Sequence, residues 1–308
     1  MCRDAAAAMG HDVNTAPAPL VSIGMPAYNS AGTIRSALDA LLAQTFRDFE
    51  LIISDNASTD TTWDIIQEYA RRDPRVIGIR QERNVGANGN YSAVFLASRG
   101  RYFKWASSND WCAPSFVERC LAHLEACEET VLVAPRTRLF DGTLDNCTDY
   151  DGDLAFEHAN PVDRFIDVGT RLALNNVMNG LVRSEALRQT RLIEHYPNAD
   201  VVLLGHLALL GRIGLVEEPL FYRRMDRATA TRMMSPQDVH RHHYPVRTAR
   251  ALFPSWRYVL GWARAALSVQ LAPRDRTRAL HWVLRRAYWS KADMGSDLAD
   301  MLRYPAGR

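Results

Sequence analysis

The chain has 308 residues, 47% of them hydrophobic and 23% charged, with a net charge of +2. That is the balance of a soluble globular protein with a sizeable core, and the charge gives no reason to expect nucleic acid as a partner. Nowhere do about eighteen apolar residues run uninterrupted, so no transmembrane helix is expected, and five cysteines without a CxxC pair read as neither a zinc site nor a disulfide framework.

Residues 1–18 are Ala-rich and read as a disordered leader. The first ordered element is "PLVSIGMPAY": Leu20, Val21, Ile23 and Met25 form a short apolar run that Pro26 closes, a buried strand whose tip is Ala27-Tyr28-Asn29. Ile34, Leu38, Leu41 and Leu42 then recur at helical spacing. Phe49–Ile53 is a second strand, breaking at Ser54-Asp55-Asn56, and "DTTWDIIQEYARR" is a second amphipathic helix. "RVIGIRQE" is a third strand, "NVGANGNYSAVFLASRG" a polar turn leading into a helix, and "RYFKWAS" a fourth strand that ends on Ser107-Ser108-Asn109-Asp110. Strands alternating with helices imply a parallel sheet covered on both faces, with ligands beyond the carboxyl ends of the strands. The tips at Pro26-Tyr28, Ser54-Asp55, Glu82-Arg83-Asn84 and Ser108-Asp110 should therefore converge on one crevice.

Downstream, "SFVERCLAHLEAC" reads as a helix and "TVLVAPRTRLFD" as a strand. "TDYDGDLAFEHANPVDRF" is acidic and irregular, a loop or flap. "NADVVLLGHLALLG" is a helix with Asp200 in its first turn, and "IGLVEEPLFYRRM" a strand ending in Arg223 and Arg224. From about residue 236 arginine, histidine and tryptophan rise and acids almost vanish.

There is no GxGxxG after the first strand, no GxxxxGK[ST], no HExxH and no GxSxG. What remains is a nucleotide site built from carboxylates and backbone. Here "VSIGMPAYNSAGTIRSALDALLAQTFRDFELIISDNASTDTT" resembles the opening of the family 2 glycosyltransferases: Pro26, Tyr28, Asn29, Gln44, Thr45, Asp55, Asn56, Ser58 and Asp60 stand in the family's order. "ERNVGANGN", "RGRYFKWASSND" and "YPNADVVLLGHLALLGRIGLVEEPLFYRR" continue the likeness over roughly residues 19–225. Its specificity comes from many ordered matches over about forty residues.

The resemblance implies an α/β protein of GT-A fold, a mostly parallel sheet flanked by helices, that transfers a sugar from a nucleotide donor with inversion. Residues 19–235 would be the catalytic domain, with a nucleotide-binding half over 19–112 and an acceptor-binding half over 113–235. Residues 236–308 would be a basic, amphipathic helical extension. By the same resemblance Pro26, Tyr28, Asp55, Arg83, Asn109 and Asp110 bind the nucleotide-sugar. Asp55 accepts a base N–H and Arg83 donates to a base carbonyl. Asp110 matches the family's metal-binding aspartate, for Mg2+ or Mn2+, and Asn109 replaces the aspartate that usually precedes it. Metal should bind weakly without nucleotide, because the donor diphosphate must supply further oxygens. Asp200 matches the general base, and Arg223 and Arg224 would hold diphosphate or acceptor phosphate.

Each residue also has a plainer reading. Asp55 caps turns, Asp110 and Asp200 cap helices, Tyr28 packs, and Arg223 and Arg224 are solvated strand ends in most proteins. His240-Arg241-His242-His243 matches no standard metal spacing and reads as a solvated loop. The expected donor is a nucleotide-sugar, UDP-linked, and the acceptor a saccharide or a lipid-linked one, in polysaccharide or glycoconjugate assembly in the cytoplasm. The alternatives are a catalytically reduced sugar-nucleotide binding module, motivated by Asn109, and a nucleotidyltransferase. The latter is disfavoured by the lack of a glycine-rich basic loop. Between 241 and 291 eleven Arg or Lys face one acid, Asp275, and interleave with Trp256, Trp262, Trp282 and Trp289. Such helices either pack on the catalytic domain or touch the inner face of a membrane; packing is the commoner fate.

Overall fold

A computed structural model of the chain describes residues 17–225 and 253–303. Most of the expected leader and the histidine cluster at 240–243 lie outside the described residues. The first half runs β1 (Val21–Ala27), α1 (Ile34–Leu42), β2 (Phe49–Asp55), α2 (Thr62–Arg72), β3 (Val76–Arg80), α3 (Ala87–Leu96) and β4 (Tyr102–Trp105). Then come β5 (Trp111–Cys112), α4 (Phe116–Ala126), β6 (Thr130–Phe140), β7 (Cys147–Tyr150) and α5 (Pro161–Arg171). The chain continues through β8 (Leu181–Arg183), α6 (Ser184–Arg188), α7 (Ala199–Leu210) and β9 (Arg212–Arg224). Three further helices follow: α8 (Pro254–Ser268), α9 (Pro273–Trp289) and α10 (Lys291–Arg303).

Among the described residues one sheet holds all the strands, in the order β3-β2-β1-β4-β8-β6-β9-β5, with β7 on β6. The parallel part is the first four strands. Beyond β4 the sheet is mixed: β8 runs antiparallel to both neighbours, and β6 and β9 pair in parallel. Strand alternation divides the core into two layers. Val21, Ile23 and Met25 pack with Ile34, Leu38 and Ile66 on one face. Phe103, Trp105 and Ile52 pack with α3, α5 and α7 on the other. The acidic stretch read as a flap is partly sheet. Cys147–Tyr150 pairs with β6, and fully buried Phe156 bridges to Ile213. Its acidic composition hides Phe156, whose burial ties the segment down.

The C-terminal helices complete the second layer. Trp262 is fully buried and meets Phe165 of α5 and Trp282 of α9 edge to face, with ring centroids 4.9 and 5.0 Å away. Such contacts add to the area buried by each ring. Of the two readings of the tail, packing therefore accounts for its buried face. Its other face is exposed.

Candidate active site

Hydrogen bonds lock the tips of β1 and β2 together. Asn29, in the left-handed region (φ 48°), donates its N–H to Ser58 Oγ and accepts from Thr59 N–H, both at 2.9 Å. Ser30 N–H donates to Thr62 Oγ1 at 2.7 Å, and Asp60 accepts from the N–H groups of Ala31 and Thr62. Burial alone would raise the Asp60 carboxyl, but the bonds from Thr62 and Ala31 outweigh it and hold the group below its usual range. Asn29, Ser58 and Asp60 thus act as staples. They leave Pro26 and Tyr28 at the rim, Tyr28 46% exposed.

Asp55 ends β2, fully buried. Its carboxylate accepts from Ser58 N–H at 3.2 Å and lies 3.5 Å from Arg80 Nε. The cation opposite Asp55 is Arg80, which sequence reasoning did not single out. The β2–β3 register pairs Asp55 with Arg80, whereas Arg83 lies beyond the strand, exposed in a bend. Arg80 also lies over the Trp63 ring, 5.6 Å from its centroid.

Asp110 reaches the site through the shortest strand. β5 pairs antiparallel with the end of β9, Trp111 opposite Tyr222, which sets Asp110 beside Arg223 and Arg224. Its Oδ1 accepts from Arg224 N–H at 2.9 Å. Burial pushes the carboxyl up to about 6; the Arg224 N–H and the charges of Arg223, Lys104 and Arg224 oppose that rise. Asn109 has turned its amide oxygen back to accept from Ser107 Oγ. The Arg224 guanidinium is spent on backbone, donating to Asn109 O at 3.1 Å and Gly142 O at 3.2 Å. These bonds tie Arg224 to the loop that carries Asp110, while Arg223 donates to Asn176.

Asp200 sits in the first turn of α7, where helix N–H groups favour a carboxylate. Asn175 Nδ2 donates to its Oδ2 at 2.6 Å. The next residue, Asn176, accepts from Arg223 Nη1 at 2.7 Å and donates to Asp153 Oδ1 at 3.0 Å. Asp153 in turn takes Thr137 N–H. One asparagine doublet therefore holds the candidate base and the candidate phosphate-binding arginine. Tyr91 of α3 feels the charges of both acids. Burial first, then the charges of Asp110 and Asp200, push its hydroxyl up to about 12. Tyr91, Asp153, Asn175 and Asn176 escape sequence reasoning, because none belongs to a short motif.

Among the described residues no three His, Cys, Asp or Glu side chains gather as a metal cage. Asp110 offers a hard anionic oxygen at the tip that follows β4. That donor set fits an Mg2+ or Mn2+ ion held by one carboxylate and completed by substrate phosphates and water.

Residues 22–165 match the family model described as glycosyl transferase family 2. The chain is 35% identical over 106 residues to the UDP-Glc:alpha-D-GlcNAc-diphosphoundecaprenol beta-1,3-glucosyltransferase WfaP of Escherichia coli, covering 34% of this chain and 41% of the relative. It is 41% identical over 103 residues to the chondroitin synthase of Escherichia coli, covering 33% of this chain and 15% of that protein. The chain thus spans less than half the length of these relatives. Among solved structures, S. aureus TarS 1–349 in complex with UDP superposes with TM-score 0.63 at 17% identity, over 87% of this chain and 71% of that one. The mannosyltransferase PcManGT from Pyrobaculum calidifontis, in complex with GDP-Man and Mn2+, superposes with TM-score 0.53 at 15% identity, over 95% and 77%. At these identities the neighbours establish the fold, and it is the GT-A fold expected from the sequence. Residues 22–165 thus match glycosyl transferase family 2 in sequence, and the chain shares the GT-A fold over most of its length.

Proposed function

We propose that the protein is an inverting glycosyltransferase that moves a sugar from a UDP-linked donor to a saccharide or lipid-linked acceptor. The observation that carries this reading is the Asn175-Asn176 doublet, which bonds Asp200 and Arg223, next to the pairing of β5 with β9 that sets Asp110 against the backbone of Arg224. Asp55, backed by Arg80, takes a base N–H. Asp110 would hold Mg2+ or Mn2+ against the donor diphosphate; when bound, that ion neutralises the charge of the departing phosphate. Arg223, kept in place by Asn176, adds a second positive charge there. Asp200 accepts the proton of the acceptor hydroxyl as its oxygen attacks the anomeric carbon from the face opposite the UDP. The bond to phosphate breaks in the same displacement, which inverts that carbon. Asn175 orients the carboxylate for this task.

UDP in the TarS complex and the UDP-Glc in the name of WfaP support the choice of nucleotide. The diphosphoundecaprenol in the latter name supports a lipid-linked acceptor. We place the reaction in the cytoplasm and assign the nucleotide-binding half to 19–112 and the acceptor-binding half to 113–235. The unpaired cysteines at 112, 120, 127 and 147 suit that compartment. The test is release of UDP by purified protein supplied with Mn2+, a panel of UDP-sugars, and saccharide or prenyl-diphosphate acceptors. UDP release with at least one donor, and inverted product with an acceptor, are expected. No release from any donor would overturn the reading and leave a nucleotide-sugar binding module.

A further inference from the structure

Exposed Leu or Trp residues scattered singly over a surface need no explanation. Here they are not scattered. Of the eleven large hydrophobic residues exposed among those described, seven lie on α8, α9 and α10: Trp256, Leu260, Leu267, Leu284, Tyr288, Trp289 and Leu298. Tyr288 is 65% exposed and Leu284 69%. The same helices bury Trp262, Trp282 and Val283 in the core, so their inner faces are already satisfied.

Contacts between the helices bring most of these residues to one end. Trp256 Nε1 donates to Met294 O at 3.0 Å, and Ser255 N–H to Asp297 Oδ2 at 2.8 Å. Arg286 of α9 donates to the Tyr258 hydroxyl. The start of α8, the end of α9 and the first half of α10 therefore meet. Trp256, Leu260 and Leu298, with Leu96 of α3, line an open groove of about 960 Å³ beside them. Cations frame the patch: Arg285 lies 5.0 Å from the Trp289 ring centroid, Lys291 4.2 Å from that of Tyr288, and Arg257 lines the groove. Among the nearby acids, Glu194 pairs with Arg191 and Arg264, Asp297 holds Ser255, and Asp293 is exposed.

We infer that this end of the α8–α9–α10 unit docks on an anionic lipid surface. Trp and Tyr rings with one polar end settle at the depth of lipid headgroups. Leu side chains enter the acyl boundary, and Arg and Lys reach the phosphates by extending their apolar stems. The charge of the frame selects an anionic surface. The inference rests on the lipid-linked form of the proposed acceptor for its purpose, since docking would present such an acceptor to the enzyme.

The experiment is flotation of the full chain with phosphatidylcholine vesicles, with and without phosphatidylglycerol, at low and high salt. Two variants accompany it: Leu260→Ser with Leu284→Ser and Trp289→Ser, and Arg257→Gln with Arg285→Gln and Lys291→Gln. Flotation is expected only with phosphatidylglycerol, weaker in high salt, and reduced about tenfold or more in either variant. No flotation with any composition at low ionic strength would overturn the inference, as would equal flotation of all three proteins. A soluble dimer that the first variant dissociates would assign the patch to a second copy instead. UDP-sugar binding, measured in parallel without vesicles, is expected to survive in both variants. If no form binds a UDP-sugar, the proposed function fails while flotation still decides the docking.

Discussion

Asn175 Nδ2 donates to Asp200 Oδ2 across 2.6 Å, and the neighbouring Asn176 grips Arg223. The proposed base and the proposed phosphate-binding cation are therefore positioned by adjacent residues of one loop, so they should fail separately. Asp200→Asn is expected to keep donor affinity and lower turnover by roughly a hundredfold or more, the scale for losing a positioned base. Asn175→Ala should lower turnover by about ten- to a hundredfold through misalignment, again with donor affinity kept. Steady-state kinetics with UDP binding measured in parallel checks both. Loss of UDP affinity in either would make Asp200 a structural cap.

Metal-dependent donor binding should depend on one carboxylate. Asp110→Ala is expected to abolish the effect of Mn2+ on UDP affinity. Asn109→Asp should preserve or strengthen it, because it restores a charge beside Asp110. Calorimetric titration of Mn2+ in the presence of UDP reads both. Equal affinity in wild type and Asp110→Ala would remove Asp110 from the metal site.

The register of β2 and β3 predicts which arginine matters for the base. Arg80→Ala should weaken UDP binding by about tenfold, the scale of a lost charge-assisted hydrogen bond, because it leaves buried Asp55 without its cation. Arg83→Ala should change affinity less. The reverse ranking would favour Arg83 as the base-reading arginine.

Gly205 lies in α7 where a Cβ would come within 2.2 Å of the Trp262 ring. Helix propensity favours alanine over glycine by up to about 1 kcal/mol, but overpacking against a buried ring costs about 1–3 kcal/mol. Gly205→Ala is therefore expected to destabilise the fold. Trp262→Ala should cost about 3–5 kcal/mol by emptying that socket. Denaturant unfolding of both variants checks the sign; a stabilised Gly205→Ala would mean that α8 does not seat on α7.

His206, buried on α7 with its Nε2 3.0 Å from Ser268 Oγ, has its pKa lowered by burial. The unfolded chain then takes up the proton first as pH falls below the ordinary value of 6.5. Stability from this group is complete above that pH and is lost as pH falls toward the lowered folded value. His206→Gln should flatten the fall of Tm between pH 7.5 and 5.5 relative to wild type. Parallel slopes in the two proteins would assign the acid sensitivity to other groups.

Local sequence determined the strand–helix alternation of the first hundred residues, since Val21, Ile23 and Met25, or Ile34, Leu38 and Leu41, carry their period on the page. It also placed Asp55 and Asp110 at strand ends, where an apolar run stops at a polar tip. The partners of those acids were decided only by the tertiary structure. That Arg80 faces Asp55 follows from inter-strand register, which is a long-range property. Asp110 meets Arg223 and Arg224 because a two-residue strand, too short for any periodicity, pairs with β9 more than a hundred residues away. Asn175, Asn176 and Tyr91 are ordinary polar residues in sequence, and the bonds of Asn175 to Asp200 and of Asn176 to Arg223 form only in the folded chain. The tail was the evenest division. Its amphipathic period was legible, but burial of Trp262 and Trp282 and exposure of Trp289 depend on which helix face met a neighbour, and only packing settles that.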